Sequence, residues 1–389
     1  MELKNVSAKR QTIRDFLIVA AFCILLFFMV FNRNETAAGL AFVMVPVTVF
    51  TVLIILCNQH YTWRRHYTLP VVMCIFAVIS TLTSDVMSWN AYATSLVLFV
   101  LVYMLATVRT YEPVVVRQIM RFYSGLVVLI AFWVLVSYIL GINLVDGRAS
   151  ISFFGIIKDQ NYLTSFMTPA FAYVTYSAFF SKNEKVVQFF KSCILFVAIY
   201  CTGSRAALIS VLAVFFVIIF KYMFYKKISL IKLSVLGALI VVLGAGLLWV
   251  QGTELFERMG DMEGYSSNIR LEIWEYAMDG FYARPILGSG IQAGTYYAQR
   301  VLHWYTHNCF IDILVGQGIV GAVLYLGMFL GFLKNNRGNR CFIGAYMIAS
   351  FCPLFFVNGY EVLNFWMPMM LCQILSSTAR EYGCESLLL

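Results

Sequence analysis

The chain has 389 residues, of which 61% are hydrophobic and only 12% charged, with a mean hydropathy of +0.81 and a formal net charge of +9. A soluble globular protein carries about a quarter charged residues, and so much apolar surface cannot be buried in one aqueous domain. A water-soluble fold is excluded, and because the basic residues are dispersed rather than gathered in a patch, nucleic acid is not an expected partner.

A hydrocarbon core of about 30 Å needs roughly 20 apolar residues per helix. In chain order, such runs fall near 14–32, 37–57, 68–84, 91–108, 122–142, 161–180, 186–201, 206–222, 230–250, 309–333, 341–357 and 361–378. The expected fold is an all-α polytopic membrane protein of about twelve transmembrane helices in the lipid bilayer, with 1–389 forming a single membrane domain. The first run follows Lys4, Lys9, Arg10 and Arg14 as a signal peptide would, but with eleven further runs behind it an uncleaved first helix is expected. The ten cysteines lie mostly inside apolar runs, as Cys23, Cys74 and Cys372 do, and serve as small membrane hydrophobes.

Basic residues favour cytoplasmic loops. With the N-terminus inside, 20 of the 28 lysines and arginines fall on the cytoplasmic side. The other eight are Arg33, Arg148, Lys158, Arg205, Arg258, Arg270, Arg284 and Arg300. Both termini are therefore expected in the cytoplasm, and the anionic inner leaflet accounts for the basic excess. Cytoplasmic loops are short. The outer side carries a medium loop at 143–160 and one long extracytoplasmic loop at 251–308. The long loop holds an amphipathic segment from Ser266 to Tyr282, closed by Arg284-Pro285 and a Gly288-Ser289-Gly290 turn. Loops longer than about 15 residues are usually functional or disordered, and this one is patterned and aromatic.

Thr202-Gly203-Ser204-Arg205 sits between two short spans, with about ten apolar residues after Lys191 and about fifteen before Lys221. At 1.5 Å per residue these reach roughly 15–23 Å, less than the hydrocarbon thickness. Lysine snorkelling absorbs part of the shortfall. Arg205 is then expected below the outer surface, in a recess where an arginine is costly unless it faces a partner or a wet cavity. The next helix begins in that recess, so its N–H groups, its dipole and the guanidinium make an anion site suited to phosphate. The alternative is an interfacial arginine beside a tight Gly-Ser turn.

Asn268-Ile269-Arg270 opens the amphipathic segment, where Arg270 shares a helix with Glu272, Glu275 and Asp279, so a solvated ion-pair face competes with a substrate role. Trp274, Tyr276 and Phe281 either line a sugar path or pack. Thr306-His307-Asn308 stands at the outer start of another inward-running helix. Of four histidines, His60 and His66 lie in a cytoplasmic loop, which leaves His303 and His307 outside. His307 could act as general base or hold an acceptor hydroxyl, or the triplet could simply cap its helix. The four-residue spacing to His303 raises a zinc pair, but no HExxH motif or third ligand accompanies it, and no metal is expected. Lys158-Asp159-Gln160-Asn161-Tyr162 opens a further inward-running helix, where Asn161 either lines the site or belongs to an ordinary polar helix start.

Four stretches taken in order resemble the O-antigen ligase/polymerase family, the Wzy-like and WaaL-like membrane glycosyltransferases. They are Thr202-Gly203-Ser204-Arg205-Ala206-Ala207-Leu208, Asn268-Ile269-Arg270 with Trp274, Pro285-Ile286-Leu287-Gly288-Ser289-Gly290, and Thr306-His307-Asn308 with Gly318-Ile319-Val320-Gly321. They occupy roughly the C-terminal half; the N-terminal half matches only in hydropathy. The resemblance implies a GT-C-like helical fold and a transfer, without metal or cofactor, on the outer face of the cytoplasmic (inner) membrane. Its donor would be a glycan on undecaprenyl pyrophosphate. The acceptor would be another lipid-linked repeat unit in a polymerase of O-antigen, capsule or exopolysaccharide, or lipid A core in a ligase.

The resemblance also places Arg205 and Arg270 on the leaving pyrophosphate and His307 on the acceptor hydroxyl. Ser204, Asn268, Asn308, Asn161 and Trp274 would be substrate-binding neighbours, and a flippase and a chain-length regulator would be partners. The Thr-Gly-Ser-Arg and Pro-Ile-Leu-Gly-Ser-Gly forms look more like polymerases, so polymerase is the first expectation and ligase the second. The non-enzyme alternative is a polysaccharide flippase or transporter. Transporters usually show repeats and ionisable residues near the midplane, whereas here polar features gather at the outer rim and Asp312 is the main intramembrane acid.

Overall fold

A computed structural model describes residues 2–31, 37–58, 63–145, 147–153, 156–224, 265–302, 305–357, 359–361 and 363–388. The expected span at 230–250 and the first part of the long loop, 251–264, lie outside the described residues. The helices, in chain order, are α1 (Glu2–Phe31), α2 (Ala37–Cys57), α3 (Thr68–Leu82), α4 (Ala91–Ala106), α5 (Pro113–Leu140), α6 (Gln160–Phe180), α7 (Lys185–Cys201) and α8 (Arg205–Phe224). They continue as α9 (Tyr265–Ala283), α10 (Ala293–Leu302), α11 (Cys309–Asn335), α12 (Arg340–Phe351) and α13 (Leu363–Tyr382).

Among the described residues, five stretches are long and apolar enough to cross a membrane: Gln11–Phe28, Arg65–Leu82, Pro113–Leu140, Arg205–Phe224 and Cys309–Asn335. Shorter apolar helices run over Met44–Cys57, Ala91–Ala106 and Arg340–Phe356. Large apolar side chains such as Phe16, Leu129, Ile139 and Phe216 stay exposed on the outer faces of these helices, as lipid-facing residues do. The chain is a multi-pass, mostly helical membrane protein.

Helix ends follow local chemistry. Asn90, Asp159 and Asn308 each accept two backbone N–H bonds at the starts of α4, α6 and α11. α5 begins nine residues before the expected apolar run, because Pro113 at its first turn lets an amphipathic stretch with Arg117 and Arg121 join the helix. It ends on Gly141 at φ 66°, a left-handed cap. The medium loop departs from pure helix: two small antiparallel pairs, 144–145 with 148–149 and 152–153 with 156–157, fold it back on itself.

α6 is the central element, buried on nearly every side from Gln160 to Ser177 and packed between α5, α7, α8 and α12. Its hydroxyls replace the missing hydrophobic drive between helices. Thr168 donates to the Ala349 carbonyl at 2.6 Å, and the Thr175 and Ser192 hydroxyls lie 2.6 Å apart.

The described termini share one end of the bundle. Asp15 pairs with Arg109 at 3.4 Å, and Arg117 bonds the Ser386 carbonyl. The other end gathers the loops between α3 and α4, α5 and α6, α7 and α8, and α12 and α13, together with α9 and α10.

α11 is broken at Gly318, whose φ of 63° and ψ of −163° interrupt the helix. The Pro285–Gly290 segment fills the gap. The N–H groups of Ser289 and Gly290 donate to the carbonyls of Val315 and Gly316, and the Ile319 N–H donates to the Pro285 carbonyl. α3 clamps that segment from behind: Ser80 donates to the carbonyls of Gly288 and Gly316, and Ser84 to that of Ser289. The Gly288-Ser289-Gly290 turn is thus a structural plug in a discontinuous helix.

Candidate functional site

At the loop-rich end, the turn between α7 and α8 is held against the start of α6. Gly203 sits at φ 62°, which lets the chain reverse between Thr202 and Ser204. The buried Ser204 hydroxyl donates to Asn161 Oδ1 at 2.9 Å and accepts from Thr164 at 3.3 Å. Arg148, from the folded medium loop, donates through Nε to the Thr202 carbonyl at 2.9 Å. Arg205 follows as the first residue of α8 and is half-buried. The fold therefore joins Ser204 and Asn161 directly, at a rim whose cationic groups include Arg148 and Arg205.

Arg270 lies in the first turns of α9, half-buried, with its guanidinium carbon 5.2 Å from the centroid of Phe356. That stacking is a cation–π contact, and Phe356 ends the short 3-10 helix Cys352–Phe356 that packs against α8. The short helix that carries this ring thus also packs against α8, the helix that Arg205 opens 65 residues before Arg270 in sequence.

His307 is an electrostatic neighbour of Arg270. Burial holds its imidazole below the ordinary histidine pKa, Asp159 opposes that shift, and Arg270 adds to it. Asp159 also caps α6, so the histidine, the start of α6 and the α9 arginine are electrostatic neighbours. The backbone of His307 is in the left-handed region at φ 48°. For a non-glycine residue this costs on the order of 1–2 kcal/mol, and such outliers cluster at working sites. Burial thus disfavours the charged imidazole, with Arg270 and the capped start of α6 as its electrostatic neighbours.

The remaining expected residues take more structural parts. The Asn308 amide oxygen accepts from the N–H groups of Phe310 and Ile311, capping α11. The Trp274 indole donates to the Thr306 carbonyl at 2.8 Å and packs with Ile273, Ala277 and Ala298, tying α9 to the His307 turn. Asn268 lies on α9, its side chain outside the described residues, and His303 lies outside them altogether. Among the described residues, no group of three His, Cys, Asp or Glu side chains is placed to hold a metal ion.

The sequence alone does not single out Arg148 beside Thr202, Phe356 beside Arg270, or Asp159 beside His307. The signal for Asp159 was present, an acid immediately before an apolar helical run, but it marks a cap wherever it occurs. Phe356 carried no signal, since aromatic residues fill every span of this chain.

Residues 192–326 match a family model described as O-antigen ligase, Wzy_C. The matched stretch begins in α7, ends in α11, and contains Arg205, Arg270 and His307. No curated protein matches the chain.

Proposed function

We propose, from the match of residues 192–326 to the O-antigen ligase model, that the chain is a membrane glycosyltransferase polymerising undecaprenyl-pyrophosphate-linked oligosaccharide repeat units. The work is done on the outer face of the cytoplasmic membrane, by a GT-C-like bundle of about twelve spans with both termini inside. The main support is that His307 and Arg270 are electrostatic neighbours of Asp159 at the start of α6, where the Ser204 hydroxyl, one residue before Arg205, bonds Asn161.

In the transfer, the acceptor hydroxyl oxygen bonds to the donor's anomeric carbon while that carbon's bond to the pyrophosphate oxygen breaks. The electron pair leaves with the pyrophosphate, and His307 takes the hydroxyl proton. Arg205 and Arg270 face the growing negative charge, aided by the N-terminus of α8. Fixed cations of this kind supply the countercharge without metal or cofactor. In this reading Ser204, Asn161, Asn268, Asn308 and Trp274 are the substrate-binding neighbours.

The family model's own description favours a second reading, ligation of the same donor to lipid A core. The chemistry is shared, and only the acceptor differs.

Removing one preorganised charge donor typically costs about 10²–10³ in rate. Arg205→Ala and Arg270→Ala are expected to abolish long surface glycan while membrane protein levels stay intact. Lysine keeps the charge but loses the bidentate fork, so Arg205→Lys should rescue poorly. Short glycan still joined to lipid A core would identify the polymerase; glycan stranded on its lipid carrier would identify the ligase. Full activity of Arg205→Ala would leave that residue as an interfacial anchor and remove the shared anion site.

A further inference from the structure

Asp312, one turn into α11, has no part in the transfer described above. It is 3% exposed, and both carboxylate oxygens are engaged. Oδ1 accepts the Thr306 hydroxyl at 2.7 Å, and Oδ2 accepts the Gly359 N–H at 2.9 Å. The Thr306 carbonyl in turn accepts the Trp274 indole N–H at 2.8 Å. That carbonyl belongs to the same peptide group as the His307 N–H. Asp312 therefore holds the residue on one side of this peptide, and Trp274 holds the peptide itself. On the far side of His307, the Asn308 side chain is fixed on the N–H groups of Phe310 and Ile311. His307 is left at φ 48° between two anchored neighbours. Without the anchors its backbone would relax to negative φ and carry the ring away from Asp159 and Arg270.

Helix α10 seals the arrangement. A Cβ at Gly294 would come within 2.7 Å of Asp312 Oδ1 and 3.1 Å of Thr306 Cγ2. A carboxylate inside a membrane bundle is a costly choice for a simple strut, but its two oxygens can take one donor from each of two separate segments.

We infer that Asp312 is a positioning residue for His307, clamping the Thr306 turn to the 359–361 loop so that the imidazole faces the acceptor hydroxyl. This rests on His307 being the group that receives the acceptor's proton.

The test uses Thr306→Val, which removes the donor to Asp312 with little change in shape, with Thr306→Ser as rescue and Asp312→Asn as a partial loss. Each is placed in a strain lacking its own copy, in the wild-type and the His307→Gln backgrounds. Surface glycan is measured per unit of monodisperse protein, together with the pH profile of product formation. Misplacing a catalytic group by about 1 Å can cost up to about 100-fold, so Thr306→Val should lose about tenfold or more. Thr306→Ser should recover most of that loss. In the His307→Gln background Thr306→Val should add nothing, because the group it positions is already gone. With His307 present, the acid limb of the Thr306→Val pH profile should also move up, as a ring freed from burial returns toward the ordinary histidine value. Equal losses in both backgrounds with an unmoved acid limb would make Asp312 a plain strut and overturn the inference. If His307→Gln leaves no measurable product, the acid limb alone decides. A fully active His307→Gln would instead remove the proton-acceptor role itself, and this inference with it.

Discussion

At the residue scale, the environment of His307 carries a sign that can be measured. Burial is the largest influence and disfavours the imidazolium, Asp159 favours it, and Arg270 disfavours it. A general base must be neutral to act, so the acid limb of the pH–rate profile should lie below the ordinary histidine value of about 6.5. Asp159→Asn removes the one influence that raises the pKa, so the limb should move to lower pH. Asparagine also caps helices well, so α6 should keep its start and the protein its yield. A limb that stays in place after this substitution would show that Asp159 and His307 are not coupled during turnover.

At the element scale, the discontinuous α11 and its plug make a prediction about stability. Gly318 is at φ 63°, and a Cβ there would collide with the Ile286 carbonyl; at Gly288, φ 74°, a Cβ would collide with the backbone of Gly316 and Gln317. Alanine at either place meets left-handed strain of about 1–2 kcal/mol as well as the clash. Gly318→Ala and Gly288→Ala should therefore lower the detergent melting temperature clearly. Gly331→Ala, whose added Cβ meets nothing within 4 Å, should not.

The same region shows what a single sequence discloses. Hydropathy located α11, the amphipathic α9 and the turn at Gly288-Ser289-Gly290, because each is written in local composition. That the turn repairs a broken helix depends on Ser80, Thr81 and Ser84, some 200 residues earlier, bonding Gly288, Ile291 and Ser289. No local pattern encodes such a pairing. Arg205, Arg270 and His307 were visible as rare polar residues at span ends. The roles of Phe356 and Asp159 as their supports were not, since each looks like ordinary span or cap composition, and Asp312, visible as an intramembrane acid, carries no local sign of its partners Thr306 and Gly359.

At the scale of the whole molecule, the bundle has two unlike ends, and the mechanism depends on which one faces the exterior. The site end holds the α7–α8 turn, α9, α10 and the His307 turn, with Arg148, Arg205, Arg270 and Arg284 among its cations. The opposite end holds the described termini and, among the described residues, Arg14, Arg64, Arg65, Arg109, Arg117, Arg121 and Arg380. Basic residues resist translocation, and the topology expected from sequence, which counts 20 of the 28 as cytoplasmic, puts the site outside. Glu275 on α9 and Lys185 at the start of α7 are both exposed and mark the two ends. In a variant without the ten native cysteines, Glu275→Cys should react with a membrane-impermeant maleimide in cells whose outer layers have been opened, and Lys185→Cys should react only after the membrane is disrupted. The reverse pattern would put Arg205, Arg270 and His307 in the cytoplasm. Transfer from a donor displayed on the outer leaflet would then be impossible at this site, and a cytoplasmic anion-binding role would have to replace it.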